Sequence, residues 1–287
     1  MTKTNKHPIP LSPLIVQTAV RNALTEDLGR TGDITTDSII ADDATMSAAM
    51  VARSAGRIAG LDFAVETFRL LDPGADITAP CSDGDGVEPG QAVLKVKGRA
   101  RAILTGERVA LNFVGHLSGI ATATRAIVDA VAGTKTRVTC TRKTTPGLRA
   151  IEKYAVRVGG GFNHRFGLDD GILIKDNHIA VAGGIAIAIE RVKATAGHMV
   201  KIEVEVDTLD QLREAMEVGA DAVLLDNMDP PTLKQAVAII DGRAIAEASG
   251  RITAETARAV AQSGVDVISA GWLTHSAPTL DVGLDIA

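Results

Sequence analysis

The 287-residue sequence is poor in aromatic side chains, with five Phe, one Trp and one Tyr. A core short of them must be assembled from Ala, Val, Ile and Leu. The same scarcity argues against a single-stranded nucleic-acid binder, which stacks bases on aromatic platforms. Cysteine is scarcer still, limited to Cys81 and Cys140. Two thiols allow one bridge at most, and no CxxC pair offers zinc spacing. No apolar run approaches the roughly 18 residues of a membrane helix. The opening MTKTNKHPIPLSP is polar and contains proline, with no apolar signal core. The expectation is a reduced, cytoplasmic protein. GxxxxGK[ST], a strand-borne GxGxxG, HExxH and GxSxG are also missing. Their absence removes the P-loop, Rossmann, zincin and α/β-hydrolase readings.

What is present is ordinary for a globular chain: 46% hydrophobic and 23% charged residues. The length suggests two domains or one large barrel. A net charge of −5 gives no general attraction to nucleic acid or an anionic membrane. The charge is unevenly spread, however. Residues 137–175 hold Arg137, Arg142, Lys143, Arg149, Lys153, Arg157, Arg165 and Lys175 against Glu152, Asp169 and Asp170. That window is +5, so the remainder is −10. A cationic island in an acidic chain points to a site for an anion.

Ser12 and Pro13 read as the N-cap and first position of a helix, with Leu14, Val16, Ala19, Val20, Ala23 and Leu24 near one face and Gly29 at its end. Thr45–Arg53 and Ala92–Val96 read as strands, Asp62–Leu71 as helix, and 100–132 as helix with Gly and polar interruptions. This first part is α+β in character. From about residue 137 six short strands recur: Arg137–Thr141, Gly171–Ile174, Ile202–Val206, Ala222–Leu225, Ala244–Ala248 and Val265–Ser269. Capped helices separate the later ones. Thr208 with Gln211 forms a capping box, Asp229-Pro230-Pro231 opens another helix, and Thr253 with Thr256 a third. Such alternation implies parallel βαβ units. Six strands are few for a full eightfold barrel, so an incomplete α/β barrel fits, with a doubly wound open sheet as the alternative.

Polar or glycine residues follow each apolar strand: Arg142-Lys143, Lys175-Asp176-Asn177, Asp226-Asn227, Ser249-Gly250 and Ala270-Gly271, while the third strand carries Glu203 and Glu205. In parallel α/β folds strand C-termini converge on one face, where ligands bind. Arg142, Lys143, His164, Arg165 and Lys175 suit carboxylates or phosphates. Glu205 and Asp226 suit Mg²⁺ or sugar hydroxyls. Ser249-Gly250 and Gly271 let backbone amides approach a phosphate. Lys175 is also a candidate Schiff-base lysine.

TRKTTPGLR (141–149), GGGFNHRFGLDDGILIKDNH (159–178), EVEV (203–206), LLDNM (224–228), EASG (247–250) and GWLTHS (271–276) resemble the carboxylating nicotinate-nucleotide pyrophosphorylase, or quinolinate phosphoribosyltransferase, family. EDLGRTGDITT (26–36) and GERVALNF (106–113) extend the likeness over nearly the whole chain. The resemblance implies conversion of quinolinate and phosphoribosyl pyrophosphate into nicotinate mononucleotide, pyrophosphate and CO₂ in NAD biosynthesis. It implies Mg²⁺ and no organic cofactor. The implied fold is an N-terminal α/β open-faced sandwich over 1–117, rejoined by the tail 276–287, and a reduced barrel over 118–275. The implied assembly is a homodimer, or a multiple of dimers, with a shared active site.

Carried onto this sequence, the family pattern has Arg142, His164 and Arg165 bind the quinolinate carboxylates, with Arg108 reaching in from a partner subunit. Lys143 and Lys175 face the diphosphate and reacting groups, beside Thr141. Glu205 and Asp226 hold ribose hydroxyls and Mg²⁺, Glu203 being the alternative to Glu205. Ser249, Gly250, Gly271 and His275 hold a phosphate. The chain departs from the family pattern at Arg251, where a second Gly is usual, and at Trp272, where a small residue is usual. A related type II phosphoribosyltransferase acting on nicotinate, a molybdenum-linked homologue and a catalytically silent phosphosugar-binding protein are the alternative functions. Two carboxylates on the substrate demand more cations than one, which favours quinolinate.

Overall fold

The computed structural model describes residues 9–286. Residues 1–8, most of the stretch read as lacking a signal core, lie outside the described residues. In chain order the elements are α1 (Pro13–Leu28), α2 (Ile34–Ile39), β1 (Thr45–Ala52), β2 (Gly56–Arg57), α3 (Leu61–Leu71), β3 (Asp76–Thr78), β4 (Gly86–Val87), β5 (Ala92–Arg99), α4 (Ala100–Ala130), β6 (Arg137–Thr139), α5 (Arg149–Val158) and β7 (Ile172–Ile174). They continue with α6 (Asp176–Ala182), α7 (Ile185–Thr195), β8 (Ile202–Val206), α8 (Leu209–Val218), β9 (Ala222–Asp226), α9 (Pro230–Ile240), β10 (Ile245–Ser249), α10 (Ala254–Gln262), β11 (Val267–Ser269), α11 (Trp272–His275) and β12 (Val282–Ile286). No helix among the described residues is long and apolar enough to cross a membrane.

The chain forms two compact units. The first takes residues up to 125, 145–160 and those from 276 onward; the second takes 126–144 and 161–275. The first unit is built on an antiparallel sheet of order β12-β1-β5-β3. Its core is aliphatic, as the composition requires: Met50, Ile58, Leu94, Val93, Ile103 and Val114 are buried around Phe68. Helix α1 buries Val16, Val20 and Leu24, whereas Leu14 is 74% exposed. Leu14 sits two residues before Val16, about 200° around the helix, and so falls off the buried stripe.

Helix α4 runs unbroken for 31 residues, without the interruptions its glycines suggest. Those glycines serve close packing. A Cβ at Gly119 would fall on the Pro278 carbonyl oxygen and lie 3.1 Å from Thr279 Cα; one at Gly115 would lie 2.9 Å from Thr279 Cγ2. The C-terminal tail thus crosses α4 where no side chain intervenes. Gly119→Ala is expected to destabilise the protein by about 1–3 kcal/mol, because backbone cannot move aside as a side-chain tip can. Thermal unfolding of the purified variant checks this.

The second unit is a six-stranded parallel sheet of order β6-β11-β10-β9-β8-β7. Neighbouring strands are consecutive from β7 to β11, and the first strand, β6, lies beside the last, β11. A doubly wound sheet reverses its strand order at a switch point. This order instead turns back on itself, as in a barrel. Among the described residues no ladder joins β6 to β7, so the barrel is incomplete. The capping signals hold: Thr208 and Gln211 cap α8 reciprocally, Asp229 accepts the Thr232 amide at 2.9 Å, and Gly219 ends α8 at φ +81°.

Alternation along these strands sorts residues by face. Val138, Val204, Val206, Val223, Leu225, Ala246, Ala248 and Ile268 are all buried on one face. The other carries Thr139, Glu203, Glu205, Leu224, Asp226, Glu247, Ser249 and Ser269. The register aligns Glu205 with Leu224 and Leu224 with Glu247, and Asp226 with Ser249. Polar groups of three adjacent strands therefore share one face toward their C-terminal ends.

Candidate active site

Four groups of side chains gather at those strand ends, all within the second unit. The first is cationic. Arg165 donates from Nη1 to the Gly171 carbonyl at 2.8 Å. Burial, followed by the charge of Arg142, pushes its guanidinium below the usual arginine range. Two guanidiniums near one another, one of them partly desolvated, have the chemistry to suit paired negative charge. His164 stands next to them, its Nε2 2.9 Å from Glu203 Oε2.

The second group is Lys175 with Glu205, Nζ to Oε2 3.2 Å. Lys175 opens helix α6, and its amide donates to His178 Nδ1 at 2.9 Å, so His178 orders this turn. The third surrounds Asp226. The Asn227 amide side chain donates to Asp226 Oδ2 at 2.6 Å, and the Asn227 backbone donates to Ser249 O at 2.9 Å. Gly250 follows at φ +111°. The fourth centres on Gly271. A Cβ there would lie 3.0 Å from Lys143 Cδ, 3.2 Å from Thr141 Oγ1 and 3.7 Å from His275 Nε2. The Thr274 hydroxyl donates to the Lys143 carbonyl at 2.7 Å and anchors that loop.

Both departures from the family pattern lie nearby. Arg251 occupies the left-handed region at φ +44°, a conformation that favours glycine. Trp272 donates from Nε1 to the Ile252 carbonyl at 2.8 Å and ties down the segment after Gly250.

The cationic island divides. Arg142, Lys143, Arg165 and Lys175 reach the strand ends. Arg137 instead stacks over Phe162 at 4.6 Å. Arg149, Lys153 and Arg157 belong to α5, in the first unit. Lys153 and Glu152 are buried there, and Glu152 pairs with His116 at 3.0 Å. Arg108 also lies in the first unit. It is exposed on a groove of about 1010 Å³ between α1, α4 and the 145–151 segment. Lys175 keeps an exposed ammonium paired with a carboxylate, unlike the desolvated amine a Schiff base needs.

One residue escaped the sequence reading. Glu247 on β10 is 5% exposed, and its Oε1 lies 3.7 Å from His164 Nε2. It shares the parity of Ser249, two residues on, which was the available signal. Burial, then the neighbouring Glu203 charge, raises its pKa from the usual carboxylate value to about 7, with His164 and Ser269 acting in the opposite direction. The native state thus holds this proton where the unfolded chain releases it. Stability is expected to fall as pH rises from about 4.5 to about 7, and to level off above. Glu247→Gln should flatten that slope in thermal melts between pH 5 and 8.

Comparison with known proteins accords with this geometry. Residues 33–118 match the N-terminal domain of quinolinate phosphoribosyl transferase, and residues 120–285 match its C-terminal domain. The chain belongs to the quinolinate phosphoribosyltransferase family. It is 47% identical over 261 residues to a probable carboxylating nicotinate-nucleotide pyrophosphorylase of Bacillus subtilis, covering 91% of this chain and 90% of the relative. Identity to the Mycobacterium leprae nicotinate-nucleotide pyrophosphorylase is 45%, covering 93% and 95%. The solved nicotinate-nucleotide pyrophosphorylase from Francisella tularensis superimposes with a TM-score of 0.92 at 41% identity and covers all of both chains. That superposition spans both the sheet-bearing first unit and the incomplete barrel.

Proposed function

We propose that this quinolinate phosphoribosyltransferase family member carries out the carboxylating nicotinate-nucleotide pyrophosphorylase reaction of NAD biosynthesis. In the synthetic direction quinolinate and phosphoribosyl pyrophosphate yield nicotinate mononucleotide, pyrophosphate and CO₂. The observation that carries the substrate choice is the Arg142–Arg165 pair, whose mutual repulsion a dicarboxylate relieves. His164 belongs to the same subsite. Lys143 and Lys175 meet the diphosphate, with Thr141 beside them. Ser249, Gly250, Gly271 and His275 take a phosphate.

The reaction follows from charge placement. Cations neutralise a dianionic pyridine and a polyanionic sugar diphosphate. Pyrophosphate leaves with its bonding pair, and cationic character develops at the anomeric carbon. The ring nitrogen attacks there and becomes a pyridinium. That ring accepts the electron pair of the breaking C–C bond, CO₂ leaves, and a proton takes its place. Preorganised charge supplies most of the rate enhancement. Glu205 and Asp226, partly exposed oxygen donors on adjacent strands, would hold a Mg²⁺. When bound, that ion supplies countercharge to the leaving pyrophosphate. Glu203 is buried and paired with His164, so Glu205 is the better candidate of the two. Arg108, exposed on the first unit, serves the site of a second copy in a homodimer.

Incubation with quinolinate, phosphoribosyl pyrophosphate and Mg²⁺, with nicotinate as competitor, tests the reading. Equimolar CO₂ and nicotinate mononucleotide formed from quinolinate are expected. Turnover of nicotinate alone, or binding of the sugar diphosphate without turnover, overturns it.

A further inference from the structure

His164, a member of the cationic subsite, also clusters with Glu203 and Glu247, two carboxylates to which the proposed reaction gives no role; the ligand atoms of the three all lie within 4.8 Å of one another. Such a cluster invites a metal. The hydrogen bonds of the imidazole argue otherwise. The Arg165 backbone amide donates to His164 Nδ1 at 2.7 Å. Nδ1 is therefore an acceptor and carries no proton. The ring's proton then sits on Nε2, which faces Glu203 Oε2 at 2.9 Å and Glu247 Oε1 at 3.7 Å. A protonated Nε2 cannot ligate a metal. Both ring nitrogens are engaged by the protein.

We infer that Glu203 and Glu247 are positioning residues, which fix His164 in its Nε2–H tautomer so that Nδ1 anchors the Arg165 backbone and aims the Arg165 guanidinium at the substrate. The inference rests on the quinolinate reading of the Arg142–Arg165 subsite. The chain of contacts is continuous. Glu203 on β8 and Glu247 on β10 belong to the rigid sheet, 9% and 5% exposed. Both approach the imidazole from the same side. The imidazole holds the Arg165 amide, and the guanidinium is clamped by the Gly171 carbonyl at 2.8 Å. Arg165 itself sits on an irregular loop between α5 and β7, where backbone ladders do little to hold it. A site on a loop needs such outer support to keep its geometry. The groups facing Glu247 are Glu203, His164 and Ser269. Glu247 makes no hydrogen bond to the ring, since its Oε1 has no hydrogen-bond partner among the described residues; it acts on His164 by close approach at 3.7 Å and through Glu203, which holds Nε2.

The test combines spectroscopy with kinetics. In protein labelled with ¹⁵N-histidine, the His164 signals, assigned by their loss in His164→Gln, should report a bare Nδ1 and a protonated Nε2. They should do so from pH 6 to 8 and keep that pattern when quinolinate is added. This readout stands even if quinolinate proves not to be turned over, so it separates the inference from the reaction assignment. An imidazolium, the opposite tautomer, or a tautomer change on adding quinolinate overturns the inference. So does Zn²⁺ binding by the intact protein that Glu247→Gln abolishes. In kinetics, Glu247→Ala is expected to raise the quinolinate KM at least tenfold and leave the KM for phosphoribosyl pyrophosphate within about twofold. Glu247→Gln, which can still pair with Glu203, should recover most of the loss. Equal rises in both KM values, or no rise in either, overturn the inference. Should Glu247→Ala fail to fold, the tautomer measurement decides alone.

Discussion

Arg165→Ala is expected to lower kcat/KM for quinolinate by about 10² or more, the equivalent of roughly 2–4 kcal/mol of transition-state binding. The size follows from where the charge sits. Burial and the charge of Arg142 disfavour the charged Arg165 guanidinium in the free site, a penalty that Asp170 and Glu203 oppose in part. A dicarboxylate relieves it, and a partly desolvated setting makes each charge-assisted hydrogen bond stronger than in water. Removing the guanidinium leaves one substrate carboxylate desolvated without a partner. Lysine should not restore the loss, because a point charge lacks the planar fork that meets two oxygens at once. The fold should tolerate the change, since the side chain packs at a loop rather than in the core. Steady-state kinetics with both substrates varied, alongside a thermal melt, checks the result. An unchanged kcat/KM in folded protein would remove Arg165 from the site.

The barrel was legible because its signals are local. Short apolar strands, capping boxes and helix-ending glycines each need only a few residues, and the six strands fall within about two residues of their expected places. Helix α4 was harder. Gly106, Gly115 and Gly119 look like breaks in a chain read alone, but they answer to partners such as Pro278, which lies far away in sequence. The placement of the candidate site residues was legible wherever strand ends alternate polar with apolar, as at Glu205, Asp226 and Ser249. It was not legible where a charge is used for packing. Arg149, Lys153 and Arg157 inflate the cationic island yet belong to α5, whose buried Glu152 meets His116. Nor does sequence distinguish a carboxylate that meets the substrate from one that braces a histidine, which is the position of Glu203. Pairing across three strands decides that, and register is a property of the folded sheet.

Gly250→Ala should do comparable damage at the opposite end of the substrate. Gly250 sits at φ +111°, where an L-residue is strained by about 1–3 kcal/mol. The new Cβ would also fall on Asn227 Oδ1 and lie 2.9 Å from Asn227 Cγ. Asn227 cannot yield freely, because its amide side chain holds Asp226 Oδ2 at 2.6 Å and its backbone holds Ser249 O at 2.9 Å. The displacement therefore reaches Asp226, a candidate Mg²⁺ ligand, and Ser249, a candidate phosphate ligand. The expected result is a fall in kcat/KM for phosphoribosyl pyrophosphate of about 10², with quinolinate binding in the absence of the sugar diphosphate little changed. A second substitution separates strain from collision. Asn227 is itself at φ +52°, so Asn227→Gly removes the obstructing side chain and suits the backbone it leaves. If collision dominates, Gly250→Ala/Asn227→Gly should regain most of the lost thermal stability, with activity limited by the missing bond to Asp226. If the double variant melts as low as Gly250→Ala, backbone strain at position 250 is the whole cost. If Gly250→Ala keeps full activity, the turn after β10 does not carry the phosphate.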